Sequence, residues 1–202
     1  MNLLKSLAPV LLAVTLASCQ AREAEVPPLA GATIGGPFAL VDQNRRARTD
    51  RDFAGKYRIM YFGYTYCPDV CPVDMARLVE GYKQFAKSDP VRASRVVPIF
   101  VSVDPGRDTP AVLKTFAAAF DPRVVGLTGS AAAITATTKA YGIAYSIRRE
   151  PGAPATLAND EQYLVDHSRV AYLMDPDNKP IALLSQDEKP AVIAAELDRW
   201  VR

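Results

Sequence analysis

The sequence predicts an α/β sandwich in which a mixed central sheet is flanked by helices, with a small N-terminal hairpin leading into it. Three observations carry this reading. Apolar, β-branched and aromatic runs at Arg58 to Tyr64, Arg95 to Val103 and Val124 to Leu127 alternate with segments of helical apolar spacing. The second run, with Val96, Val97, Ile99, Phe100, Val101 and Val103, is nearly continuous in its apolar character, as in strands covered on both faces. Towards the C-terminus the alternation gives way to two short runs around Asp175-Pro176-Asp177-Asn178, a tight-turn sequence that joins antiparallel strands.

Phe38 to Val41 and Ala47 to Thr49, separated by polar Asp42-Gln43-Asn44, form the expected leading hairpin, and Asp50 to Lys56 a connecting turn. Arg58 to Tyr64 is the first buried strand. A helix follows from about Cys71 to Lys87, carrying Met75, Leu78, Val79, Tyr82 and Phe85 at helical spacing until Asp89-Pro90 ends it. After the strand Arg95 to Val103, Thr109 is a plausible N-cap with Pro110 at the first helical position; that helix runs to about Phe120 and Asp121-Pro122 closes it. Val124 to Leu127 is a short strand, and Ser130 caps a helix through Tyr141 that stops at Gly142. Ile143 to Arg148 and Gln162 to Val165 read as strands flanking a Pro- and Gly-rich loop. Arg169 to Met174 and Ile181 to Ser185 make the closing hairpin, and a last helix spans about Pro190 to Trp200.

The chain of 202 residues has 23% charged residues and a net charge of +2, enough length for one well-buried domain and too little dispersed basic charge for a nucleic-acid footprint. Its first residues belong to another class. Lys5 precedes an apolar stretch from Leu7 to Leu16, and Leu16-Ala17-Ser18-Cys19 follows directly. The stretch is too short for a bilayer-spanning helix, which needs about 20 apolar residues. Residues 1–18 are therefore expected to be an export signal. The Leu-Ala-Ser-Cys ending resembles that of bacterial lipoproteins, which implies cleavage before Cys19 and acylation of its sulfur. Residues 19–37, with Pro27, Pro28, Gly31, Gly35 and Gly36, then form an expected flexible tether, and residues 38–202 the folded domain.

With Cys19 used as an anchor, the domain keeps two cysteines, Cys67 and Cys71, in Cys67-Pro68-Asp69-Val70-Cys71. They fall where a strand becomes a helix, so positions i and i+4 share one face and the orphan N–H groups of the first turn favour thiolate. A thiolate is both the nucleophile of disulfide exchange and a ligand for soft metals. A disulfide stiffening the turn is the third option. Three intervening residues differ from the common two-residue dithiol spacing, and structural zinc would need four ligands where the domain offers two cysteines and one histidine. Three soft or borderline ligands suit Cu(I). His167, the single histidine, sits in Val165-Asp166-His167-Ser168, about 100 positions from the cysteines, and nothing local brings them together. Asp69 and Asp74 fit helix N-terminal electrostatics, and Asp104 with Asp108 fit the organisation of a strand-to-helix loop.

Taken together, Gly63-Tyr64-Thr65-Tyr66-Cys67-Pro68-Asp69-Val70-Cys71-Pro72, Val101-Ser102-Val103-Asp104-Pro105-Gly106-Arg107-Asp108-Thr109-Pro110 and Val165-Asp166-His167-Ser168 resemble the Sco/SenC family, in order, from about Thr33 to the C-terminus. The resemblance implies a thioredoxin-like fold and a role in delivering copper to the dinuclear copper site of cytochrome c oxidase, or in reducing that site's cysteines. It implies one copper per chain, as Cu(I) or Cu(II), with Cys67 and Cys71 as thiolate ligands and His167 as the imidazole ligand. The same two cysteines would be a redox-active pair that closes to a disulfide when oxidised. Asp166 is the candidate to orient the ring, or else only to cap the turn. The partners implied are the oxidase copper-site subunit, a thiol reductant, another copper donor, and a membrane held through lipidated Cys19 on the periplasmic side of a bacterial envelope.

Overall fold

The computed structural model describes residues 25–149 and 163–202. Cys19, the export signal and the loop before Tyr163 lie outside them. Two strands, β1 (Ala39–Asp42) and β2 (Ala47–Thr49), form the leading hairpin, paired Ala39 with Thr49 and Val41 with Ala47. Asp42 sets its turn. Its carboxylate accepts from the backbone N–H groups of Asn44 at 2.8 Å and Arg46 at 3.0 Å and from Arg48 Nε at 2.9 Å, which satisfies a side chain that is otherwise buried.

The central strands are β3 (Tyr57–Gly63), β4 (Val96–Ser102) and β5 (Val125–Thr128), parallel to one another. All seven residues of β3 are buried, as its mostly apolar and aromatic sequence requires of a strand covered on both faces; the exception, Arg58, donates to Asn178 Oδ1 and the Phe53 carbonyl. The strands β8 (Ala171–Met174) and β9 (Pro180–Leu183) add an antiparallel hairpin beside β3, and β1 adds to β5 antiparallel. The resulting seven-stranded mixed sheet has the order β2-β1-β5-β4-β3-β8-β9. Two further strands, β6 (Tyr145–Arg149) and β7 (Tyr163–His167), pair only with each other as a separate ribbon.

Among the described residues the longer helices are α1 (Val70–Ser88), α3 (Pro110–Ala118), α4 (Ala131–Ala140) and α5 (Pro190–Trp200), which flank the sheet. Alternation along β3 decides which face each meets. Tyr61 reaches Asp74 on α1, and its ring packs near Phe100, which itself meets Phe116 of α3. Phe62, on the opposite face, packs against Tyr141 at the end of α4. The expected caps are in place, with Thr109 accepting from Val112 N and Ser130 from Ala133 N.

Two expectations are corrected. Asp89-Pro90 ends α1 but also starts a short helix, α2 (Pro90–Ala93), because Asp89 accepts from Arg92 N at 2.9 Å and Pro90 fits the first helical position. The segment expected to be tether is bound to the domain in its second half: Leu29 N donates to Ile181 O and Gly35 N to Ala140 O, each at 3.0 Å. Its prolines and glycines shape a strap laid on β9 and α4 rather than a free linker. Among the described residues no helix is long and apolar enough to cross a membrane.

Candidate metal centre

The strand β3 ends at Gly63, and the chain turns through Tyr64 to Asp69 into α1. Cys67 lies in that turn and Cys71 is the second residue of the helix. Asp69 occupies the N-cap position without a side-chain cap bond. A sulfur does that work instead: Cys71 N–H donates to Cys67 Sγ at 3.5 Å, so one orphan donor of the first turn is spent on the thiol. Burial works against charge at Cys67, yet the backbone N–H groups of Cys71, Asp69 and Val70 outweigh it and hold the thiol below its ordinary range. Cys71 behaves oppositely. Fully buried, it is pushed up to about 12 by the loss of water. The expected preference for thiolate therefore holds at Cys67 and fails at Cys71.

Gly63 makes room for this arrangement. A Cβ there would lie 2.9 Å from the Tyr61 ring and 3.0 Å from Cys71 Sγ. The loop's other anchor is Asp108, fully buried, which accepts from Thr65 N at 3.1 Å, Thr65 Oγ1 at 2.6 Å and Ser102 Oγ at 2.5 Å. Asp104 accepts from Arg107 Nε at 2.5 Å and from the Tyr163 hydroxyl at 2.6 Å. Both aspartates thus do more than shape their own loop: one holds the cysteine turn and the other holds β7. Arg107 adds its own ties, lying 3.5 Å from the Tyr163 ring centroid and 5.0 Å from that of Tyr66.

His167 is the last residue of β7, about 100 positions along the chain and in direct contact with the helix. Its Nε2 lies 3.3 Å from Cys71 Sγ and its Nδ1 3.1 Å from the Ser168 carbonyl oxygen. A carbonyl only accepts, so Nδ1 carries the proton and Nε2 presents a lone pair to the sulfur. The ring stands edge-on to Tyr64, centroids 6.0 Å apart and planes at 89°. Burial keeps its pKa below the ordinary histidine value despite the Ser168 carbonyl, which favours the neutral, ligating form. Asp166, the candidate to orient this ring, points elsewhere and accepts from Arg148 Nε at 3.2 Å across the ribbon. Alternation along β7 separates neighbouring side chains, and the Ser168 carbonyl takes the orienting position.

Asp74 also departs from expectation. It is fully buried, one turn beyond Cys71, and accepts from the Tyr61 hydroxyl at 3.0 Å and from Arg169 Nε and Nη2 at 2.7 and 2.5 Å. A carboxylate at that spacing inside an apolar helix face was the signal for a buried partner, but its arginine lies 95 positions away. Cys67, His167, Asp166, Arg148 and Arg169 share an open groove of about 390 Å³. Among the described residues no three His, Cys, Asp or Glu side chains are already gathered around one metal position; the ready contact is between Cys71 and His167. The Cys67 sulfur and the neutral His167 imidazole border this groove and the enclosed Cys71 sulfur lies against the ring, a donor set suited to a soft monovalent cation.

Comparison with known proteins follows the same lines. A model of the SCO1/SenC family matches residues 27–202. Protein SenC of Rhodobacter capsulatus is 44% identical over 165 residues, 82% of this chain and 69% of that protein. The mitochondrial SCO1 homolog of Mus musculus is 34% identical over 169 residues, 84% of this chain and 56% of that protein, so the chain spans just over half of that relative. Among solved structures, Bradyrhizobium japonicum ScoI with copper bound is 37% identical, covering 83% of this chain and 99% of that one with a TM-score of 0.71. Yeast Sco1 with copper bound is 31% identical, covering 84% and 88% with a TM-score of 0.73. The thioredoxin-like sandwich is the fold that these structures and this chain share.

Proposed function

Because the chain belongs to the SCO1/SenC family, we propose that it is a copper carrier that holds one copper ion through Cys67, Cys71 and His167 and hands it to the dinuclear copper site of cytochrome c oxidase during assembly. The observation that carries the reading is His167 Nε2 at 3.3 Å from Cys71 Sγ, a contact between residues 96 apart that puts a nitrogen lone pair beside a buried sulfur. Thiol–disulfide exchange with that site's cysteines or another exported protein would need the cysteine pair alone, so this contact favours the metal reading. Relatives solved with copper bound support it.

The residues divide the work. Cys67, its thiol lowered by backbone donors, is the sulfur that loses its proton more readily; Cys71 would keep its proton until metal displaced it, so loading would release protons and weaken as pH falls. The Ser168 carbonyl fixes the ring so that Nε2 faces the metal position. Cys67 and His167 border the same groove, from which copper would reach both. Cys67 is 9% exposed and Cys71 is fully enclosed, so an incoming thiolate of the recipient displaces Cys67 first.

Oxidation of the pair to a disulfide would block loading, and a thiol reductant is therefore a required partner. The Leu16-Ala17-Ser18-Cys19 ending supports a lipoprotein anchored at Cys19 on the periplasmic side of a bacterial envelope. The reduced protein, titrated with copper, is expected to bind one equivalent, and the cupric form to show thiolate-to-copper charge-transfer absorption. His167→Ala should change both the spectrum and the affinity. An unchanged spectrum and stoichiometry in that variant would remove His167 from the site.

A further inference from the structure

We propose that the ion pair between the fully buried Asp74 and the partly exposed Arg169 is a positioning device that holds the His167 imidazole against Cys71, an inference that rests on His167 being a copper ligand. The two members sit at matched places. Asp74 is three residues after Cys71, on the same face of α1 one turn along. Arg169 is two residues after His167, in the short link between β7 and β8. The pair joins the segment that presents the nitrogen to the helix that presents the sulfur.

Its geometry is that of a fixed clamp. Arg169 Nε and Nη2 each donate to one carboxylate oxygen of Asp74, at 2.7 and 2.5 Å, a bidentate fork that sets orientation as well as distance. The third donor arm, Nη1, reaches Asp187 between β9 and α5 at 2.7 Å, which keeps the guanidinium from swinging outward. Asp74 takes a further bond from the Tyr61 hydroxyl at 3.0 Å, so the buried carboxylate is held from the sheet as well. Tyr61 stands beside Cys71 too, its ring and Sγ flanking the space above Gly63.

The topology explains why a clamp is needed. The strands β6 and β7 pair only with each other, outside the seven-stranded sheet. Ser168 is bonded to that same ribbon, donating to Ala144 O at 2.8 Å and accepting from Ala144 N at 3.0 Å. The chain rejoins the main sheet only at Ala171, paired with Tyr61. Arg107 and Asp104 secure the opposite end of the strand, at Tyr163. At the His167 end, Arg169 provides the ionic tie to α1.

The test compares Cu(I) affinity, by competition with a chelator, for the wild type, Arg169→Gln, His167→Ala, His167→Ala/Arg169→Gln and the neutral pair Asp74→Asn/Arg169→Gln. The neutral pair leaves no unpaired buried charge and answers the question if Arg169→Gln does not fold. Arg169→Gln and the neutral pair are expected to lose roughly 10- to 100-fold in affinity, the scale for partners that orient a metal-bound imidazole. In the His167→Ala background the Arg169 change should cost nothing more. The cupric form of the neutral pair should also show weakened imidazole-nitrogen hyperfine coupling. Wild-type affinity in the neutral pair, or losses that multiply with His167→Ala, would overturn the clamp while leaving His167 as a ligand. Unchanged affinity in His167→Ala would overturn the ligand assignment and the clamp with it.

Discussion

At the scale of single residues, the site is a contest between burial and hydrogen bonding, decided differently at each donor. Cys67 gains enough backbone N–H bonds to lower its thiol, while Cys71 has water stripped from it and rises to about 12. The cysteine spacing was readable in the sequence; the split was not, because it depends on which sulfur the sheet and helix enclose. His167 titrates below its ordinary value through burial. The unfolded chain therefore takes up the proton first, near pH 6.5, and the free energy of unfolding of the metal-free protein is expected to fall as pH drops through and below that value. Urea unfolding at pH 7.5 and 5.5 checks this, and His167→Gln should flatten the difference. Gly63 makes a second expectation. A methyl group there would meet Cys71 Sγ at 3.0 Å and the Tyr61 ring at 2.9 Å, so Gly63→Ala should lower copper affinity by displacing the sulfur, measured by chelator competition beside the wild type.

At the scale of elements, local chemistry predicted most of what formed. Thr109-Pro110 and Ser130 start helices as their side chains dictate, and Asp175 to Asn178 turns a hairpin with Asn178 in the left-handed region at φ 64°. Asp89-Pro90 serves both as a stop and as a start, because an N-cap acid before proline opens a helix, and α2 is the result. The contact between α1 and α5 lay beyond local signals. It depends on Gly81, where a Cβ would come within 2.6 Å of Ile193 Cβ and 2.9 Å of the Pro190 carbonyl. Alanine in a helix interior is favoured over glycine by about 1 kcal/mol, but overpacking of a tight contact costs about 1–3 kcal/mol. Backbone on one side of the contact cannot give way cheaply, so Gly81→Ala is expected to be net destabilising by about 1 kcal/mol in chemical denaturation. Adding Ile193→Val should not repair it fully, since the Pro190 carbonyl remains.

At the scale of the whole molecule, three remote segments build one corner: the turn before α1, the loop after β4 and the end of β7. Parallel pairing of β3 with β4 brings Ser102 beside Gly63, which lets Asp108 hold Thr65 just ahead of Cys67. Antiparallel pairing of β8 with β3 returns the chain so that Arg169 reaches Asp74 and His167 reaches Cys71. Periodicity in a single sequence carries no record of such meetings; the family resemblance implies Cys67, Cys71 and His167 as the proposed ligands, and the fold brings His167 to Cys71. That contact yields the most direct test, X-ray absorption on the reduced protein loaded with one equivalent of copper. The account expects two sulfur scatterers and one imidazole nitrogen in the wild type, with the nitrogen lost in His167→Ala. A copper environment with fewer than two sulfurs, or one unchanged by His167→Ala, would contradict it.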